Sequence, residues 1–566
     1  MRKYLLLATV LLAFACSEKK HGDAVILGGT IYTADVAQPK VEAVVVKGDK
    51  IEFAGSEKEA RTWIDDKTNV IDLKGKTMTP GFIEGHGHFF GVGYYEIDLD
   101  LMKAKNYDEI VEMVRQAVEK AQPGQWILGR GWHQEKWDTL PSNMVKGFQT
   151  HEKLSAVSPN NPVALEHASG HAVQVNAKAM EIAGVNQLSK ESLKAISEEG
   201  GEIIRDKNGN PTGIFNELAT GLIYKHMPSA DDDRDRKAID FATQACLRNG
   251  ITSFHDAGAT RRNIEFFRQA KKDGTLGVRL YVMIGGDDRA HVNEWMKNGP
   301  EIDSTHWLTI RSIKLYCDGA LGSRGAWLLE PYTDRKDFTG MATITLDTVL
   351  FTSRKALKSG FQVCSHAIGD RANREILDRY ETAFNENPEV KDHRFRIEHA
   401  QHLHPNDIPR FGKLGVIPAM QAVHMSSDRP WAIDRLGEKR IKEGAYVWQS
   451  LLKSGAKIVN GTDAPVEPIT PIASFYASVA RKTLKGEPEG GYEPEEKMTR
   501  EQALHSYTLD AAYGAFEENT KGSIQSGKLA DFTIFSQDIM TAPETDLLKT
   551  EVMMTIVGGK VVYEKK

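Results

Sequence analysis

Between residues 78 and 459, short apolar strands alternate with longer helical stretches, and this alternation limits the fold more than any other feature of the chain. Strand, helix, strand is the unit of a parallel sheet. Strand signals fall at 78–83, 163–166, 251–254, 280–284, 310–316, 361–365, 394–398, 416–420 and 457–459. That is one more than a closed α/β barrel of the (β/α)8 TIM type uses. The surplus is assigned to 163–166, within a stretch from about 94 to 240 that reads as an insertion after the first barrel strand.

The chain ends have another texture. Strands at 24–27, 41–46 and 50–54 are punctuated by Gly28-Gly29, Lys47-Gly48-Asp49 and Gly55, and similar strands fall at 530–535, 552–557 and 560–563. This predicts a small β-sandwich module from both ends, 24–76 and 521–566, beside a barrel domain over 77–520.

At the start, Arg2 and Lys3 precede an apolar run, 4–14, that is too short to span a bilayer and ends Ala13-Phe14-Ala15-Cys16. Residues 1–16 are expected to be a lipoprotein signal peptide with Cys16 lipidated, followed by a polar tether over 17–23. The plainer alternative is an ordinary cleaved signal. Lipidation would make this an exported bacterial lipoprotein, membrane-anchored in the periplasm or at the cell surface. Cys246, Cys317 and Cys364 show no paired spacing and read as small apolar core residues. The net charge of -6, with no block of Lys and Arg, argues against nucleic acid and leaves a small-molecule substrate as the expected partner. A homo-oligomer stays open.

The histidines carry the chemistry. Strand 78–83 runs into Glu84-Gly85-His86-Gly87-His88, where two imidazoles two residues apart point the same way and can share a metal, with the glycines allowing close approach. Lys314, His366, His399 and Asp463 lie at or just beyond four later strands. In a parallel barrel all strand C-termini open onto one face, so these residues converge. Four imidazoles and a carboxylate suit zinc or a similar ion. Any one of these histidines alone would more simply be a buried residue bonded to a backbone carbonyl.

The set His86, His88, Lys314, His366, His399 and Asp463 resembles the amidohydrolase superfamily. The phrases Thr79-Pro80-Gly81-Phe82-Ile83-Glu84-Gly85-His86-Gly87-His88, Trp126-Ile127-Leu128-Gly129-Arg130-Gly131-Trp132, Asp318-Gly319-Ala320-Leu321-Gly322-Ser323-Arg324, His366-Ala367-Ile368-Gly369-Asp370-Arg371-Ala372, Arg396-Ile397-Glu398-His399-Ala400-Gln401 and Gly461-Thr462-Asp463-Ala464-Pro465 are similar to its YtcJ-like group. The resemblance runs from about residue 24 to 563. His133 and Ser169 depart from it, since Asp is common at both places.

The resemblance implies one or two divalent metal ions, zinc in the first instance. His86, His88 and Asp463 would hold the first ion, and His366 and His399 the second. Lys314 would bridge them as a carbamate, with Glu217 as runner-up and an ion pair to Asp318 as the plain alternative for the lysine. Asp463 would also move the proton, with His424 as competitor, and His171 would stabilise an oxyanion unless it simply pairs with His167. Trp132 and His133 are expected in the substrate pocket, and Trp126, Trp137, Trp327 and Trp448 are weaker candidates for its walls. The expected reaction is hydrolysis of a non-peptide C–N bond in an amide, N-acyl amine or N-substituted formamide. The alternatives are an esterase, phosphotriesterase or deaminase on the same scaffold, or an inert lipid-anchored binding protein. Ala367-Ile368-Gly369 after His366 lacks the Glu usual in deaminases of this superfamily.

Overall fold

The computed structural model describes residues 20–198, 200–228 and 231–566. The expected signal peptide, Cys16 and the start of the tether lie outside the described residues. Among those described, no helix is long and apolar enough to cross a membrane.

Eight parallel strands make a nearly closed barrel sheet: β1 (Phe82–Gly87), β2 (Ile251–Ala259), β3 (Arg279–Gly285), β4 (Leu308–Tyr316), β5 (Gln362–Ala367), β6 (Arg396–His399), β7 (Ile417–Met420) and β8 (Val459–Asn460). A short antiparallel strand, Glu301–Ile302, flanks β4. The strands are almost wholly buried, as expected where helices cover a parallel sheet. Just past the end of β8 the seam is bridged by backbone bonds from Asp463 N–H to the His86 carbonyl (2.8 Å) and from His88 N–H to the Ala464 carbonyl (2.7 Å). Gly85 is needed at this seam, because a Cβ there would sit 2.4 Å from the Asn460 carbonyl oxygen. Gly87 likewise abuts the Phe254 ring. The two glycines therefore serve strand packing, where the sequence suggested room for an ion.

The covering helices follow from local chemistry. Arg261–Asp273 starts at a capping box between Thr260 and Asn263 and stops at Gly274, whose φ of +69° favours glycine. Its Ile264, Phe267 and Ala270, three apart, form the stripe buried against the barrel.

Two boundaries differ from expectation. Residues 78–83 are not one strand. Thr77–Pro80 pairs antiparallel with Phe532–Phe535, and β1 begins only at Phe82. Pro80 has no N–H to continue a ladder, and the Gly81 N–H turns to the Asp531 carbonyl. The ends also do not contribute equally. A six-stranded sheet joins 30–32, 40–41 and 77–80 to 532–535, 552–557 and 560–564, whereas a four-stranded sheet uses only 24–27, 43–47, 50–55 and 69–72. Ile26, Val44, Met78, Phe532 and Ile556, drawn from both sheets, belong to one apolar cluster.

The stretch after β1 builds its own six-stranded sheet, in which Val163–His167 pairs parallel with Ile127–Trp132 and antiparallel with Ala172–Val175. Those pairings keep residues 163–167 out of the barrel.

Candidate metal centre

His86 is the penultimate residue of β1, and His88 is the N-cap of the helix Phe89–Tyr95. Their rings stand edge to face with centroids 5.8 Å apart. Both Nε2 atoms approach Asp463 Oδ1, from 3.5 Å (His86) and 3.2 Å (His88). His399 closes the group: its centroid is 4.7 Å from that of His86 and 4.4 Å from that of His366. Lys314 Nζ lies 3.2 Å from His86 Nε2. All six expected ligand residues thus meet at the C-terminal mouth of the barrel. His86, His399 and Asp463 form the tightest set, each offering a ligand atom within 4.8 Å of the others. This trio cuts across the expected division into His86, His88 and Asp463 for one ion and His366 and His399 for the other, because His399 stands almost as near to His86 as to His366.

Backbone strain marks the same place. His399 and Asp463 have φ of +74° and +59°. Such left-handed conformations cost non-glycine residues on the order of 1–3 kcal/mol and persist only where the surroundings enforce them. Here the seam bond from Asp463 N–H to His86 O and the bond between His399 Nδ1 and Gln421 Oε1 (2.8 Å) do so.

Donor chemistry fits a divalent cation. Burial, reinforced by Lys314 at His86, by His399 at His366 and by His86 at His399, holds these three imidazoles well below the usual histidine range, so they are neutral with lone pairs free. Burial alone would raise Asp463, but the close imidazoles of His88, His86 and His424 hold it well below the usual carboxylate range. His366 Nε2 and Asp463 Oδ1 are buried with no directed hydrogen bond, although His88, His86 and Asp318 lie close. Uncompensated buried polar atoms are costly, and a bound divalent cation would satisfy atoms of this kind. Burial also lowers Lys314, which favours its neutral amine, the form that can add carbon dioxide.

The outer contacts orient this set. Glu398 binds His86 Nδ1 and is itself gripped by the buried Arg396 guanidinium at 2.7 and 2.8 Å. Gln401 binds His424 Nδ1 (2.8 Å), which leaves His424 Nε2 3.9 Å from Asp463 Oδ2. Asp318 accepts backbone N–H groups of Trp327, Ile368 and Gly369 and makes no ion pair with Lys314. Glu217 holds His171 Nδ1 at 2.8 Å from the insertion's sheet, so it does not bridge in place of Lys314. The His171 and His167 rings do not bond one another: that of His167 meets the Ser169 hydroxyl and that of His171 meets Glu217.

A cavity of about 690 Å³, counted to its open mouth, joins this centre to the insertion and is lined by His133, His167 and His171 on the insertion side. Trp132 is not part of it. That side chain is fully buried, donates its indole N–H to the Leu165 carbonyl (2.7 Å), and backs the His167 ring. Trp126, Trp137, Trp327 and Trp448 do not line it either, whereas Trp431, which the sequence did not single out, does.

Residues 69–563 match the model of the amidohydrolase family. The chain belongs to that family. It is 32% identical over 96% of its length to Protein LONG AFTER FAR-RED 3 of Arabidopsis thaliana, covering 91% of that protein. It is 30% identical over 95% to the putative amidohydrolase YtcJ of Bacillus subtilis, covering 99% of it, and 26% identical over 96% to N-substituted formamide deformylase of Arthrobacter pascens, covering 98%. These likenesses make it a YtcJ-like amidohydrolase. Among solved structures, an uncharacterized metal-dependent hydrolase from Pyrococcus horikoshii superposes with a TM-score of 0.73 at 25% identity, over 92% of this chain and 99% of that one.

Proposed function

We propose that this amidohydrolase cleaves a non-peptide C–N bond with water, in an amide, an N-acyl amine or an N-substituted formamide. The observation that carries this reading is Asp463, an ionised, fully buried carboxylate with one oxygen toward His86 and His88 and the other toward His424. His86, His88, His366, His399 and Asp463 would hold the ion, zinc or a similar metal, with carbamylated Lys314 as bridge if a second ion binds. Bound there, a divalent cation would supply a water acidic enough to act as a nucleophile near neutral pH. Likeness to N-substituted formamide deformylase supports the substrate class.

The chain's own groups supply the rest. Asp463 accepts the proton of the attacking water and delivers it to the leaving nitrogen, since an amine leaves poorly unless protonated. His424, 3.9 Å away, is the next acceptor in line. His171 has Nδ1 committed to Glu217, and the carboxylate raises its pKa although burial opposes this, so Nε2–H is its free donor for the oxygen that gains charge. We also propose that Cys16 carries a lipid that tethers the enzyme to a membrane.

The test is Asp463→Asn in the metal-loaded form lacking residues 1–16, assayed on N-acyl amines, formamides and activated esters. Amide turnover should fall by about 10²–10⁴ while most metal stays bound, and an activated ester should suffer less. Near-parental amide turnover with metal bound would remove Asp463 from the proton path. Turnover of esters alone would make the protein an esterase.

A further inference from the structure

The cavity that adjoins the metal centre holds further polar groups that the hydrolytic reading leaves unused. His167 Nδ1 accepts the Ser169 backbone N–H (3.1 Å) and faces the Ser169 hydroxyl at 2.8 Å, whose oxygen accepts the His171 N–H (3.2 Å). A nitrogen that accepts an N–H carries no proton of its own, so the proton of neutral His167 sits on Nε2. That Nε2–H is buried without a partner. The indole Nε1–H of Trp431, on the helix after β7, is buried and unpartnered as well. Both side chains line the cavity. The His133 ring stands between them, with centroids 4.6 Å from His167 and 5.8 Å from Trp431, and its Nδ1 also lacks a partner. A buried donor left unpaired costs about 1–3 kcal/mol, so two on one wall call for an acceptor from outside the chain.

The charge beside them narrows that acceptor. The Lys136 ammonium reaches into the same cavity but is bound to Glu467 at 2.7 Å, and Ser427 donates to that same carboxylate oxygen at 2.6 Å. Asp428 adds a second carboxyl group. Two carboxyl groups against one ammonium leave no surplus positive charge to hold an anion. Trp431, Leu321 and Val466 supply apolar surface around the donors.

We propose that His167 and Trp431 form a hydrogen-bonding subsite for an uncharged oxygen acceptor, a carboxamide or ester carbonyl, on the part of the substrate remote from the scissile bond. Ser169 is a positioning residue here, because it sets the His167 tautomer. The proposal rests on the hydrolase reading for the word substrate, but binding at the subsite does not need turnover.

The test is calorimetric titration of the metal-loaded protein with linear N-alkylformamides of graded length. Their far end is a methyl, a carboxamide, a carboxylate or an ammonium group. The carboxamide-ended chain should bind about tenfold more tightly than the methyl-ended one of the same length, the worth of one or two well-made hydrogen bonds. Trp431→Phe and His167→Phe should each remove most of that advantage and leave the methyl-ended chain unchanged. The Trp431 substitution keeps an aromatic ring and guards against misfolding at position 167. A carboxylate- or ammonium-ended chain binding best, a carboxamide advantage that survives both substitutions, or no binding by any member would overturn the subsite. A carboxamide preference without hydrolysis of any member would keep the subsite and count against the proposed reaction.

Discussion

Glu398 holds His86 by Nδ1, and this leaves Nε2 of His86 as the nitrogen that faces Asp463 at 3.5 Å. The carboxylate cannot drift, because Arg396 binds both of its oxygens from within the barrel. Partners of this kind fix the tautomer and orientation of a ligand histidine, and losing them typically costs about 10–100-fold in metal affinity. Glu398→Gln should weaken metal binding by that order in competition with a chelator, while the folded barrel is retained. Unchanged metal affinity would mean that His86 is oriented by the strand alone.

Trp132 fills the insertion's core, bonded through its indole to Leu165. Trp132→Ala should destabilise the insertion by about 3–5 kcal/mol, the range for deleting a large buried aromatic side chain. Denaturant unfolding followed by tryptophan fluorescence reads this directly. A variant as stable as the parent, but with altered selectivity, would return Trp132 to the pocket wall.

His402 is buried against Tyr446 with neither ring nitrogen bonded, and burial pushes its pKa down to about 3. Its unfolded value is near 6.5. Because the folded value is the lower one, the unfolded chain binds the extra proton, so His402 costs stability as pH falls below about 6.5. Each pH unit within that window is worth about 1.4 kcal/mol at most. His402→Gln should therefore lose less stability than the parent between pH 7 and pH 5, by about 2 kcal/mol. Parallel losses in the two proteins would show that the ring is protonated without penalty.

Cys16→Ser should move the protein from the membrane fraction to the soluble fraction, as expected if the lipid on that thiol is the anchor. A variant that still sediments fully with membranes would require another attachment.

Much of the centre was legible because polar residues at the ends of apolar strands are conspicuous: His86, His88, Lys314, His366, His399 and Asp463 all follow or end such runs. Their partners were harder to find. Glu398 and Gln401 sat in a quoted phrase, but which way each points depends on register, and pairing sets Glu398 opposite His366. Trp431 lies within the long helix Ala422–Gly444 and carries no local signal. Trp132 lies in the insertion's core and not at the pocket, because the phrase it belongs to does not specify which face of a strand is buried. His133 and Ser169, where the chain departs from the pattern it resembles, both line the cavity that adjoins the metal centre.

The metal content of the purified protein, read by elemental mass spectrometry beside that of a His86→Ala/His88→Ala variant, tests the centre most directly. The parent should carry one or two divalent ions per chain, and the variant should lose the ion held with Asp463 while remaining folded. A parent that takes up no stoichiometric metal, or a variant that keeps all of it, would contradict a metal centre at this mouth of the barrel.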